Sequence, residues 1–181
     1  MKIVFDYQIF SLQHYGGISR YYVELAKSIL KINIKNNISI ISPFYINNYL
    51  EQISKEHKVG NKINANKSIG KLITIPNRLL SPIKICKFNP DILHLTYYID
   101  HFNFLNFKGK KIITIHDMIS ELFPNKSLFS KALRKRREKS IKEADHIICV
   151  SKNTQKDLLE IYRINQDKTS VIHHGINLNK E

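Results

Sequence analysis

Short runs that are apolar from end to end recur along this chain, and longer segments of helical period separate them. The runs are KIVFD (2–6), ISIISPF (38–44), KLITIP (71–76), DILHLT (91–96), KKIITIHD (110–117), HIICVS (146–151) and KTSVIHHGI (168–176). A strand with one face in water alternates apolar and polar residues. A run that does not alternate needs cover on both faces, the condition met inside a parallel sheet. Between the runs, residues 17–31 place Ile18, Tyr21, Tyr22, Leu25 and Ile29 roughly on one helical face. Residues 127–143 carry a second helical pattern, and Ser151 can N-cap a third over NTQKDLLEIY. RLLSPIKICKF (78–88) reads as a helix with Pro82 in its first turn. The Asn- and Lys-rich stretch 45–70 does not separate helix from loop. Strands alternating with helices specify an α/β fold, a Rossmann-like three-layer domain with a mainly parallel sheet and helices on both faces. It is expected to span residues 1–175.

With 181 residues, 43% of them apolar, the chain can build one substantial core. Its two cysteines, Cys86 and Cys149, are too few and too far apart for a disulfide framework or a zinc ribbon. Both lie in apolar surroundings that suggest buried thiols, and a reducing compartment fits. The N-terminus MKIVFDYQIF has no signal-peptide pattern and no stretch reaches membrane-spanning length, so a cytoplasmic location is expected.

Lys and Arg total 29 against 15 Asp and Glu, a net charge of +14. Such a balance favours anionic partners, although part of it follows from a general over-use of Lys together with Ile and Asn. The charge concentrates in KALRKRREKSIKEAD (131–145), which includes Arg134, Lys135, Arg136 and Arg137. Leu128, Ala132, Leu133, Ile141 and Ala144 would turn toward the sheet. The outer face would then be either a solvated basic face or a patch for an anionic membrane surface or phosphate groups. No helix-turn-helix, RNA-recognition or zinc-finger pattern accompanies it, so nucleic acid is not an expected partner.

In a parallel sheet, ligands sit beyond the carboxyl ends of the strands, near a reversal of strand order. Gly16 and Gly17, His94, Thr96 to Tyr98, His116 with Asp117, Ser151, and His173 to Gly175 fall at such ends. A glycine pair ahead of a helix either exposes amides to a phosphate at the positive helix end or turns a corner that needs φ > 0. Neither G-x-G-x-x-G nor a P-loop is present. His116 would point into the crevice or be satisfied by local backbone. The histidines are scattered over different strands without zinc spacing, so no metal is expected. Ser151 reads as a helix cap and not as a nucleophile.

Taken in order, YGGISRYYVELAKSI, DILHLTYY, TIHDMISELFP, ADHIICVSKNTQKDLLEIYRI and KTSVIHHGINL resemble the N-terminal half of retaining glycosyltransferase family four, enzymes of GT-B architecture. The resemblance covers nearly the whole chain and is weakest over 45–88. It implies transfer of a sugar, with retention, from a nucleotide-sugar to a saccharide or lipid-linked acceptor, in surface-polysaccharide or glycolipid synthesis. A mannosyltransferase-like enzyme at the inner membrane face is one form of this. It further implies Gly16 and Gly17 against the donor diphosphate, His116 at the donor sugar, Ser151 at the domain interface, and His174 and Gly175 before a hinge beginning at residues 176–181. Tyr97, Tyr98 and Asp100 would line the acceptor side, an expectation from location. No cofactor is implied beyond the donor, and a C-terminal domain or partner subunit is needed, without which this half would be inactive. The alternative expectation is a non-catalytic Rossmann-like module for a phosphorylated ligand or an anionic membrane surface.

Overall fold

The computed structural model describes residues 1–32, 37–65, 67–98, 107–125 and 131–175. Among them lies one sheet of seven strands, all parallel: β1 (Lys2–Phe5), β2 (Asn37–Tyr45), β3 (Lys58–Lys62), β4 (Ile92–Leu95), β5 (Lys110–Ile115), β6 (His146–Cys149) and β7 (Thr169–Val171). The spatial order is β3-β2-β1-β4-β5-β6-β7. The chain builds outward from β1, crosses back, and builds outward on the other side, which puts the reversal of strand order between β1 and β4. The helices are α1 (Gln8–Leu12), α2 (Gly17–Ile32), α3 (Lys67–Leu72), α4 (Thr74–Phe88), α5 (Ile119–Leu122), α6 (Lys131–Glu143) and α7 (Lys152–Tyr162).

The end-to-end apolar runs are buried on both faces, as their composition demands. One cluster joins Val4, Leu93, Ile113, Ile115 and Ile147 to Ile85, Ile141 and Leu158 from the helices. The other joins Ile3, Phe5, Ile38 and Ile40 to Tyr22, Val23 and Ala26 of α2. The deepest stripe of α2 is Ser19, Tyr22, Val23 and Ala26, so Ile18 and Tyr21 lie at its edge.

Several expectations give way here. KLITIP is not a strand: residues 67–72 are α3 and Thr74 opens α4. Pro76 sits in the first turn of α4, where an amide has no intrahelical acceptor to lose. Pro82 therefore lies in the helix interior, not in its first turn, and is buried there. Asn77 compensates by side-chain chemistry. It accepts from the Phe44 amide (2.8 Å) and donates to the Phe44 carbonyl (2.7 Å), binding α4 to β2. The polar run KVGNK supplies the edge strand β3, which the apolar pattern could not reveal. Its Gly60 has φ of 145° and lies so close to the Ser42 carbonyl that a Cβ would collide with it. The register of β2 against β3 shifts between Ile41 and Phe44, around Pro43, which has no amide to give to a ladder.

Cys149 is buried, and burial raises its thiol to about 11. Cys86 is exposed on α4, contrary to the expectation of two buried thiols.

Candidate functional site

The reversal point is fastened by a residue that sequence reasoning passed over. Asp6 follows β1 and is fully buried. Its Oδ1 accepts from the Thr96 amide (2.8 Å) and hydroxyl (2.5 Å), and its Oδ2 accepts from Gln8 Nε2 (2.5 Å). Burial raises the carboxyl to about 6, against the pull of these hydrogen bonds. Asp6 thus ties the ends of β1 and β4 together beneath the crevice. The available signal was a charged residue ending an apolar run.

Around this tie the strand tips gather the predicted residues. His116 follows β5, and its ring lies edge-on to Tyr21 of α2 at 5.2 Å between centroids. It stacks on His174, which follows β7, at 5.5 Å and 11°. Tyr21 also meets His174 edge-on at 5.1 Å. Tyr21 stands one turn beyond Gly17, so the glycine pair, His116 and His174 share one end of the sheet. Burial, and then the neighbouring His174, hold the His116 imidazole down to about 4, with Asp117 acting the other way. The ring is neutral near pH 7 and offers one N–H donor and one acceptor. His116 Nε2 is buried and has no hydrogen-bond partner among the described residues. Orphaned ring nitrogens are uncommon in folded proteins and mark places where a ligand supplies the missing partner.

The glycines are explained neither by a corner nor by strain, because neither has positive φ. Gly16 ends the loop and its carbonyl accepts from the Ser19 hydroxyl (3.0 Å) and the Arg20 amide (3.0 Å). Gly17 opens a helix of 16 residues, and a Cβ there would meet nothing within 4 Å. Open space at the positive end of a long helix suits an anionic group.

Tyr97 is half-buried and lines two cavities. The smaller, about 60 Å³, is bounded by Ile18, Tyr97, Tyr98, His116, Asp117 and Arg137. The larger, about 680 Å³, has Lys71, Arg78 and Arg136 on its wall with Ile75, Tyr97 and Leu133. Tyr98 is buried, donates its hydroxyl to the Thr114 carbonyl (3.0 Å), and forms the floor of the smaller one. Asp100 and the hinge at 176–181 lie outside the described residues.

Ser151 caps α7, its Oγ accepting from the Thr154 amide at 3.0 Å. Gly175 is exposed with open space where a Cβ would stand. His173 donates through Nδ1 to the Val150 carbonyl (3.1 Å). His94 is a core histidine, hydrogen-bonded to Thr114 (2.9 Å), with burial holding it at about 3. Among the described residues no cluster of His, Cys, Asp and Glu is arranged to hold a metal.

The basic patch on α6 is not continuous. Arg137 is buried instead of facing outward. It donates to the Asp117 carbonyl and to Ser120 Oγ (3.1 Å), pairs with Glu121 (3.5 Å), and lies over the Tyr98 ring (5.1 Å). Arg134 donates to the Pro124 carbonyl (3.3 Å), whereas Lys135 and Arg136 are exposed. Ile141 and Ala144 are buried as expected, but Ala132 is exposed, and Leu128 lies outside the described residues. The helix turns a different face inward because the inner position goes to a guanidinium with a full set of local acceptors.

Fold and site together define a class: a Rossmann-like α/β domain that gathers a helix N-terminus, an imidazole and an aromatic-walled crevice along the carboxyl edge of its sheet. Residues 15–180 match the model of Glycosyltransferase Family 4, and the chain belongs to that family. No curated protein matches it. Among solved structures it is similar to a glycosyltransferase from Rickettsia africae, at 24% identity and a TM-score of 0.62 over 97% of this chain and 43% of that one. It is also similar to HepE from Anabaena in complex with UDP, at 16% identity and 0.64 over 99% and 45%. A sucrose-phosphate synthase from Thermosynechococcus elongatus matches at 13% identity and 0.71 over 98% and 49%. The chain therefore spans less than half the length of these structures. At these identities the likeness establishes the fold, the N-terminal half of GT-B glycosyltransferases.

Proposed function

We propose that this domain forms the acceptor-side wall of a retaining glycosyltransferase that moves a sugar from a nucleotide-sugar to a saccharide or lipid-linked acceptor. The observation that carries the reading is the buried, unpartnered Nε2 of His116 on the same edge as the open helix start at Gly17. As the glycosidic bond to the leaving nucleoside diphosphate breaks, negative charge grows on the phosphate oxygens. Amides and the positive end of α2, fixed before the reaction, stabilise that charge without reorganising. His116, held neutral, hydrogen-bonds a hydroxyl of the donor sugar and positions it. Tyr21 and His174 hold the ring from two sides. Tyr97 faces the space where the acceptor enters. A second domain or partner subunit closes the cleft and supplies most nucleotide contacts; the UDP bound to HepE is an instance of such a ligand in a structure of this fold.

The test is a transfer assay on the full-length polypeptide with a panel of UDP- and GDP-sugars. One donor class is expected to support turnover in wild type and not in Gly17→Val. Donor-independent rates, or equal turnover in the variant, would refute the assignment.

A further inference from the structure

The α3–α4 segment presents an apolar ridge to solvent. On α4, Ile75, Leu79 and Ile83 recur every four residues and are 63%, 68% and 65% exposed, while Asn77, Ser81 and Ile85 on the opposite side are buried against the sheet. Leu72, 62% exposed at the end of α3, and Leu80 extend the ridge. Branched aliphatic side chains at this spacing on an outer helix face lower no free energy in water. An amphipathic helix of this kind has found its partner only when the ridge is covered.

Charge identifies the cover. Between Glu56 and Asp91 the sequence has no acidic residue, and exposed Lys71, Arg78, Lys84 and Lys87 flank the ridge. A 15-residue helix is too short to span a bilayer and no helix among the described residues is long and apolar enough to do so, but an apolar strip bordered by cations lies in the plane of an anionic lipid interface. The ridge is also continuous with the larger cavity of about 680 Å³, because Ile75 belongs to both and Lys71 and Arg78 stand on the cavity wall. We infer that the α3–α4 face is a docking surface for an anionic membrane, seated so that the cavity opens at the lipid headgroups. The basic helix α6, which the charge pattern favoured, is not that surface: Arg137 is spent on interior contacts and no apolar ridge accompanies Lys135 and Arg136.

The inference stands apart from the transfer reading, because binding to vesicles needs neither donor nor acceptor. The full-length polypeptide is sedimented with vesicles of phosphatidylcholine alone or with about a third phosphatidylglycerol. Wild type is expected to pellet with the anionic vesicles and to be released as salt rises from about 50 to about 500 mM. The triple change Ile75→Ser, Leu79→Ser, Ile83→Ser should lower the bound fraction roughly tenfold or more, and Lys84→Ser with Lys87→Ser should lower it to a similar degree, at about fivefold per lysine. Lys135→Ser with Lys139→Ser on α6 should leave it unchanged. The substituted side chains are exposed, so the circular dichroism melting curve of each variant should overlay that of wild type. Wild type remaining in the supernatant, or the ridge and lysine variants binding like wild type, overturns the inference. So does a ridge variant that converts a wild-type dimer into a monomer on size exclusion without affecting vesicle binding, since a second copy would then be the cover.

Discussion

Replacing Arg137 by Met tests whether α6 is a surface element or a structural clamp. Arg137 is 3% exposed and the side chain of its partner Glu121 is 7% exposed. Methionine keeps the aliphatic bulk and removes the guanidinium. Breaking a buried pair by deleting one partner costs about 3–5 kcal/mol, because the other charge stays behind. Here Glu121 retains two donors, the Ser120 hydroxyl at 2.5 Å and the Tyr162 hydroxyl at 3.0 Å, which draws the cost toward the lower limit. The Asp117 carbonyl also loses its guanidinium donor, a further cost of about 1 kcal/mol. The expected loss is about 3–4 kcal/mol, a fall of about 1.5–2 M in the urea midpoint at a slope of about 2 kcal/mol/M. The chain has no tryptophan, so helical circular dichroism is the probe. Arg136→Ser, one residue earlier and exposed, should stay within about 0.5 kcal/mol of wild type. Adding Glu121→Gln to Arg137→Met should recover part of the loss, since the stranded charge is gone. Arg137→Met within 1 kcal/mol of wild type, or Arg136→Ser costing as much, would refute the clamp.

Acid sensitivity follows from groups with opposite signs. His94 and His116 have folded values of about 3 and about 4 against an ordinary 6.5, so below pH 6.5 the unfolded chain binds protons that the fold refuses, and stability falls with pH. Asp6, raised to about 6, contributes stability below its ordinary range that is lost as pH rises through 6, and so offsets part of this slope. Urea midpoints between pH 7.5 and 4.5 should therefore decline with acid, and Asp6→Asn should decline more steeply; a shallower slope in the variant contradicts the sign. Gly17→Val should fold like wild type, its side chain entering empty space, while lowering affinity for the nucleotide-sugar in calorimetry at least about tenfold, from steric exclusion at the helix start. A maleimide should label Cys86 in the native protein and Cys149 only in denaturant, counted by mass spectrometry; native double labelling would contradict the burial of Cys149.

The fold was legible where burial dictates composition. KIVFD, DILHLT, KKIITIHD and HIICVS could be nothing but covered strands, and their spacing required crossover helices. β3 escaped because an edge strand with polar side chains has no apolar pattern, and KLITIP misled because its β-branched residues sit on two helices whose outer side is itself apolar. Half of the candidate site was readable, since strand ends are where parallel sheets bind ligands; His116 and Gly17 meet there through Tyr21. Asp6 and Arg137 were not readable. A buried charge is fixed by partners distant in sequence, Thr96 for one and Asp117 and Glu121 for the other, and helical periodicity counts an arginine as outward whatever its partners are.

The most direct test of the central claim is the kcat/KM for sugar transfer by the full-length polypeptide, wild type against His116→Ala, with the urea midpoint of each measured alongside. A hydrogen bond that positions the donor sugar should make the variant about a hundredfold slower, with an unfolding midpoint no lower than that of wild type. Equal kcat/KM in two equally stable proteins would contradict the claim that the imidazole after β5 belongs to the transfer site.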